Sequence, residues 1–289
     1  MDEDSITFKT EGGKEYHLKI DRMNSNILSA GSPGRVQKIA KYLDKSEIQE
    51  GSRKMTVVHG KYQKLPISAF STGMGPASAA ITVPEAIEAA EDPITLLRIG
   101  TAGSLQSHVK AGDIVIGTGA IRDESTTTAV VDSEYPSIAN SELVPIMIAA
   151  AEKHGFEMKE NLWPGITHVK DDLYFKETPH FSPSRDRMEP KLQSYREMGA
   201  LSTSMEFSVY TIMRDFYKYQ KKRDISVGLF LGIVAETKKK HSVKVDKKTK
   251  KKLENDMIKI GLDTLQITND LRKGKKTDID FEEIIRKLI

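Results

Sequence analysis

Three short glycine-rich segments, each behind an apolar run, hold residue types suited to binding an anion. They are Gly31-Ser32-Pro33-Gly34-Arg35, Ser71-Thr72-Gly73-Met74-Gly75-Pro76 and Arg98-Ile99-Gly100-Thr101-Ala102-Gly103. Glycine lets backbone N–H groups approach an anion closely, and a helix starting behind it offers further unpaired N–H groups. Arg35 and Arg98 can add forked, charge-assisted contacts, and Thr101 a hydroxyl. Alone, each segment reads most simply as a turn, with an arginine in a surface ion pair. Together, with two arginines and a threonine converging, they point to an oxyanion site. None matches GxxxxGK[ST] or GxGxxG, so the expected anion is free phosphate rather than a nucleotide tail. A fourth segment, Ser204-Met205-Glu206-Phe207, places a carboxylate just before a helical stretch. Glu206 could bond sugar hydroxyls, or simply be an acidic residue favoured at a helix start by the dipole.

These segments need a scaffold that brings them together. Short apolar runs at 27–30, 66–70, 95–99, 114–121 and 166–169, and the continuous apolar run 227–235, read as strands. Helical patterns fill 35–43, 77–90, 143–154, 207–219 and 253–271. The third glycine-rich segment reads as the turn that ends the 95–99 strand. Strand, glycine-rich turn and helix in repetition argue for a three-layer α/β fold, in which ligands bind outside the carboxyl ends of the strands. With no internal repeat or low-complexity linker, the 289 residues are read as one domain.

Composition narrows the function classes. Cysteine is absent, which excludes disulfides, thiolate-bound metal and thiol nucleophiles. The seven histidines form no HxxxH pair, so no metal site is expected. No apolar run approaches a membrane span, and the acidic, polar start is unlike a signal peptide, so a cytoplasmic protein is expected. The formal charge is +3, but nine lysines and one aspartate between positions 238 and 252 carry +8, which leaves −5 elsewhere. A generally basic nucleic-acid-binding surface is therefore not expected. The lysine stretch lacks interleaved aromatics; it reads as a solvated turn leading into a helix, with a basic patch for RNA or for steering anions as the functional alternative.

The ordered motifs GSPGR, STGMGP, RIGTAG, SME and GIVAE resemble the nucleoside phosphorylase family that contains uridine phosphorylases and hexameric purine nucleoside phosphorylases. The likeness runs from about Tyr16 to Leu271. Tyr16-His17-Leu18 and Lys170-Asp171-Asp172-Leu173-Tyr174 resemble segments of the uridine enzymes. The resemblance implies an αβα fold with a central mixed sheet, and phosphate held by Gly31, Arg35, Arg53, Arg98 and Thr101. It implies ribose on His17, Met205 and Glu206, and the base near Ala102, Gly103, Leu173 and Glu236. Arg98, Glu206 and Glu236 would be the catalytic residues. Arg53 and His17 would serve the adjacent protomer's site, making a dimer the minimum unit and a homohexamer the expected assembly. Inorganic phosphate would be the co-substrate, with no other cofactor.

The chain also departs from the family pattern. Ser32 stands where the phosphate loop usually has Asp, and Ser204 where the ribose motif usually has Glu. After the last strand, Glu236-Thr237 replaces the base-reading pairs of the family; Glu236 could donate to a purine, accept from a pyrimidine N–H, or face solvent. The glutamine and arginine that read uracil have no obvious counterpart among Lys176, Glu177 and Pro179. Arg185 or Arg187 could substitute from 179–190, which reads as a polar, proline-rich loop and a possible lid. Uridine phosphorolysis is the expected activity. The alternatives are purine phosphorolysis and a nucleoside- or RNA-binding protein with weak or no catalysis.

Overall fold

A computed structural model describes residues 5–237 and 242–288. Along the chain the elements are β1 (Asn26–Ala30), α1 (Pro33–Ala40), β2 (Asp44–Glu50), β3 (Thr56–Tyr62), β4 (Leu65–Ser71), α2 (Pro76–Glu88), β5 (Ile94–Ser104) and β6 (Ile114–Asp123). There follow β7 (Ser137–Ile138), α3 (Leu143–Glu152), β8 (Leu162–Lys170), α4 (Tyr174–Glu177), α5 (Arg185–Glu197), β9 (Ser202–Ser204) and α6 (Phe207–Gln220). The last are β10 (Ile225–Thr237), β11 (Ser242–Lys244), α7 (Lys247–Arg272) and α8 (Phe281–Leu288).

The strands form one mixed sheet in the order β11-β10-β6-β8-β9-β5-β1-β4-β3-β2. β1 runs parallel to both β4 and β5, while β3 and β2 extend that side antiparallel. β10 pairs with β6 and also, in parallel, with β5. Strands β5, β10, β6, β8 and β9 therefore close into a ring. Helices cover both faces. One core gathers Val36 and Ile39 of α1 with Met147 of α3 and Met257, Ile260 and Leu265 of α7. The other gathers Val83 and Ile87 of α2 with Val209, Tyr210 and Met213 of α6. These are the three layers the alternating pattern implies.

Three elements differ from the sequence-based expectation. The RIGTAG segment is strand, not turn: β5 runs on to Ser104, and Thr101 and Ala102 pair with Gly232 and Ile233 of β10. Its small residues serve close packing, since a Cβ on Gly100 would lie 2.8 Å from Leu231 Cδ2. The segment expected as a polar loop is largely helical, because α5 starts at Arg185 and carries Pro190 inside it. Its buried anchor is Leu192, packed with Leu105 and Ala200. The last long helix begins at Lys247, earlier than the apolar periodicity suggested. Asp246 caps it by accepting from the N–H groups of Lys248 (2.8 Å) and Thr249 (3.0 Å). Lys247, Lys248, Lys250, Lys251 and Lys252 are exposed on that helix start, while 238–241 lie outside the described residues.

Candidate active site

Parallel pairing of β4, β1 and β5 sets their carboxyl ends side by side, with Ala30 opposite Ser71 on one flank and Ile99 on the other. The first two glycine-rich segments follow directly. Ser32 caps α1, its Oγ accepting from the Arg35 N–H at 3.3 Å, with Pro33 pre-shaped for the first turn. The serine thus keeps the helix-capping role open to an aspartate there. Gly73 adopts φ +73°, a conformation glycine takes without strain, and a Cβ there would come within 2.5 Å of Ser78 Oγ.

Arg98 lies at the centre of these turns and is only 4% exposed. Its Nη2 forms an ion pair with Glu206 Oε2, and its Nη1 donates to Thr72 Oγ1 at 3.3 Å. A Cβ on Gly31 would sit 3.3 Å from the Gly73 carbonyl and 3.8 Å from Arg98 Nη2, which puts the two glycine turns and the guanidinium together. The cation also lies 5.8 Å from the Tyr210 ring centroid. Ser29 Oγ donates to the Leu97 carbonyl at 3.1 Å, so the Tyr210 hydroxyl donates to Ser29 Oγ at 2.8 Å. Burial opposes the charge on Arg98, but Glu206 and Tyr210 outweigh it and raise its pKa.

Glu206 sits at the N-cap of α6, yet its carboxylate does not cap that helix. One oxygen pairs with Arg98 and the other accepts the Gly75 N–H at 2.9 Å. Ser204, where the family has a second carboxylate, accepts from the Glu206 N–H at 3.3 Å and helps fix its backbone. Met205 lies between them.

Arg35 reaches the same region from α1. Its Nη1 donates to the Ile99 carbonyl at 3.5 Å, and its Nη2 pairs with Glu254 of α7 at 3.1 Å. Lys38 holds the other Glu254 oxygen at 2.5 Å. Burial alone would raise the Glu254 pKa, but Lys38 and Arg35 outweigh it and lower it. The Nε atoms of Arg35 and Arg98 are both buried without a hydrogen-bond partner among the described residues. Two unmatched guanidinium donors beside glycine turns are what an anion would satisfy.

The other expected residues make no side-chain hydrogen bond to Arg98, Arg35 or Glu206. His17 and Arg53 are linked through the Ser52 turn, and neither hydrogen-bonds to Arg98, Arg35 or Glu206. His17 Nδ1 lies 2.7 Å from Glu85 Oε1, and its carbonyl accepts the Ser52 N–H at 2.7 Å. Arg53 and Lys54 adopt φ of +53° and +61° in the turn that follows. Thr101, Ala102 and Gly103 belong to β5, with their neighbours in β10. Glu236 does not simply face solvent: half-buried at the end of β10, its Oε1 accepts the Ala111 N–H at 3.2 Å. Leu173 is 47% exposed ahead of α4. Nearby, the fully buried Lys170 forms an ion pair with Glu177.

Thr72, Tyr210 and Glu254 escaped the sequence reading. Thr72 was legible in principle, being the hydroxyl just before Gly73. Glu254 had no signal, because it lies in a lysine-rich helix start 219 residues from Arg35. Among the described residues no group of three His, Asp or Glu could hold a metal ion, and no helix is long and apolar enough to cross a membrane.

A mixed sheet between helical layers, with a buried guanidinium–carboxylate pair where glycine turns meet, defines the class of this α/β protein. The chain belongs to the phosphorylase superfamily, whose model matches residues 27–220. It is 30% identical over 202 residues to the uridine phosphorylase of Treponema pallidum, covering 69% of this chain and 76% of the relative. It is 30% identical over 228 residues to the uridine phosphorylase of Haemophilus influenzae, covering 76% and 84%. To the guanosine phosphorylase of Halorubrum lacusprofundi it is 32% identical over 170 residues, covering 58% and 68%.

Proposed function

We propose that this protein is a nucleoside phosphorylase, a pentosyltransferase that converts nucleoside and inorganic phosphate to ribose 1-phosphate and free base, with uridine as the preferred nucleoside. The carrying observation is the buried Arg98–Glu206 pair against Thr72 and the Gly31 and Gly73 turns, with unmatched Nε donors on Arg98 and Arg35. Phosphate takes the guanidinium donors and the glycine-turn backbone, with Thr101 beside it. Glu206 accepts from ribose hydroxyls, and Met205 packs on the sugar. A phosphate oxygen then bonds to C1′ as the N-glycosidic bond breaks, and the bonding pair leaves with the base, which gains a proton. Arginines supply positive charge that no physiological pH removes. The rate enhancement comes from orientation and from charge fixed where the transition state needs it.

Ala102, Gly103 and Leu173 border the base in this reading, with Glu236 at its far edge. In this reading His17 and Arg53 reach the neighbouring protomer's ribose and phosphate. A homo-oligomer follows, a dimer at least and a hexamer by family habit, working in the cytoplasm. Purine phosphorolysis is the second reading, favoured by the carboxylate at Glu236 and by the guanosine phosphorylase among the relatives.

Incubation with uridine, inosine, guanosine and adenosine, each with and without phosphate, tests this. Uracil release that requires phosphate is expected. Release without phosphate would mean a hydrolase, and no release from any substrate would remove the enzymatic reading.

A further inference from the structure

Helix α2 buries a carboxylate outside the Arg98–Glu206 centre. Glu85 is 2% exposed, within the buried run Thr82, Val83, Pro84, Glu85, Ala86 and Ile87. Burying a carboxylate is costly unless donors surround it. Among the described residues its ion-pair partner is His17, and its hydrogen bonds all come from His17 and Leu18. Oε1 accepts the His17 N–H at 3.0 Å, and Oε2 accepts the Leu18 N–H at 2.8 Å with the His17 nitrogen at 3.1 Å. The ring nitrogen Nδ1 of His17 lies 2.7 Å from Oε1.

Backbone N–H groups only donate, so both Glu85 oxygens are acceptors here. Nδ1 therefore carries the imidazole proton and donates it to Oε1, which leaves Nε2 of the neutral ring as an acceptor. Nε2 has no partner among the described residues and is not buried. The rest of His17 is held as firmly. Its carbonyl accepts the Ser52 N–H at 2.7 Å, and Tyr16 packs edge-on to its ring with centroids 5.1 Å apart. A Cβ on Gly51 would come within 2.4 Å of the His17 carbonyl oxygen, so that turn closes on it. The side chain keeps 22% of its surface exposed, so a ligand can reach the ring. Helix α2 itself starts beside Gly75, whose N–H bonds Glu206, so one rigid element supports both the Arg98–Glu206 centre and His17.

We propose that Glu85 is a positioning residue, which fixes the tautomer and orientation of His17 so that Nε2 accepts a hydrogen bond from a ribose hydroxyl. This rests on the phosphorylase reading, in which His17 meets the ribose of the neighbouring protomer. Anchoring the chain alone would need only the two backbone N–H groups; the contact with Nδ1 commits Glu85 to the ring.

Two measurements test this. Solid-state nitrogen NMR of histidine-labelled protein at alkaline pH, with His17 assigned by its loss in His17→Ala, should show a protonated Nδ1 and a bare Nε2. In Glu85→Gln the proton should move to Nε2, because the amide NH2 faces Nδ1 and makes it an acceptor. Kinetics with uridine and with 2′-, 3′- and 5′-deoxyuridine then read the ribose contact. His17→Ala identifies the hydroxyl concerned, as the one whose removal ceases to matter. In the parent that removal is expected to cost about tenfold in kcat/KM, the scale of one hydrogen bond. Glu85→Gln should shrink the penalty to about threefold and add nothing to His17→Ala, with KM for phosphate and the other deoxy penalties unchanged. Glu85→Asp, which withdraws the carboxylate by one methylene, is the second variant should circular dichroism show that Glu85→Gln does not fold; the same loss of selectivity is expected. A uniform fall for uridine and all three analogues would make Glu85 an anchor of the chain and overturn the proposal, as would a proton on Nε2 of the parent. Absence of phosphorolysis in the parent would strike the phosphorylase reading and the ribose contact with it, whereas a working enzyme with a uniform response strikes Glu85 alone.

Discussion

Two ion pairs are buried near the ends of the same sheet, and they are built from different chemistry. In Arg98–Glu206 the side chains are 5% and 7% exposed; in Lys170–Glu177 they are 1% and 19%. Burial works against the cation in both. Glu206 and Tyr210 hold the Arg98 pKa up, whereas the Lys170 ammonium is pulled down to about 7 despite Asp172 and Asp123. A guanidinium delocalises its charge and keeps its proton; a lysine ammonium gives it up when desolvated. The first pair is a fixed electrostatic element at the proposed anion centre. The second, beside Leu173 and α4, is a titrating element on the wall where the chain departs from the uridine enzymes. If the proposed assignment holds, the half of the site handling phosphate and ribose is rigid in charge, and the half facing the base is adjustable.

The sharpest way to break this contrast is to remove the fixed charge. Arg98→Ala is expected to lower kcat/KM by about 10²–10³-fold, the scale for losing one preorganised transition-state donor. Circular dichroism should show an intact fold, because Glu206 keeps the Gly75 N–H. Retained activity would take Arg98 out of the anion site.

Next comes the carboxylate. In Glu206→Gln the amide can still accept from Gly75, but the charge facing Arg98 is gone. A fall in kcat of about 10²-fold is expected, with KM for phosphate unchanged or lower because Arg98 is no longer neutralised. A rise in phosphate KM with kcat untouched would make Glu206 a structural partner of Arg98 and nothing more.

These two residues also show where the sequence was legible. Gly31, Arg35, Arg98 and Glu206 stood out because motifs at strand ends announce themselves locally, through glycines, a proline and a charged residue within a few positions. What stayed hidden depended on distance along the chain. The pairing of Arg35 with Glu254, and the cation–ring contact of Arg98 with Tyr210, span more than a hundred residues and follow only from the packing of α6 and α7 on the sheet. The strand β5 was cut short in the reading because Gly100, Ala102 and Gly103 look like turn residues. Their smallness instead lets β10 and its Leu231 come close. Likewise α5 was hidden by Pro190 inside it and by having one buried residue, Leu192, which gives no helical periodicity to detect.

On the base side a smaller effect is expected. Glu236→Ala removes the acceptor that holds the Ala111 N–H at the end of β10. The ratio of kcat/KM for uridine to that for guanosine should shift by about tenfold, the scale of one discriminating contact. An equal fall for both substrates would make Glu236 a scaffold residue with no part in reading the base.

The smallest expected change is in stability, and it tests the titrating pair directly. Lys170 has a folded pKa of about 7, against about 10.4 in an unfolded chain. Below pH 7 both states hold the proton, and the cost of burying the ammonium is fully present. Between pH 7 and about 10.4 the unfolded chain binds the proton more tightly than the folded one, so stability rises with pH across that window. In Lys170→Met/Glu177→Gln this proton difference is gone. Melting followed at pH 6.5, 7.5 and 8.5 should therefore show a flatter dependence in the double variant than in the parent, on a scale of about 2–4 °C per kcal/mol. The variant should be at least as stable at pH 6.5, where the parent still buries a charged lysine. Identical pH slopes in the two proteins would mean that Lys170 stays charged throughout. The base-side pair would then be as fixed as Arg98–Glu206, and the distinction between the two halves of the site would rest on residue identity alone.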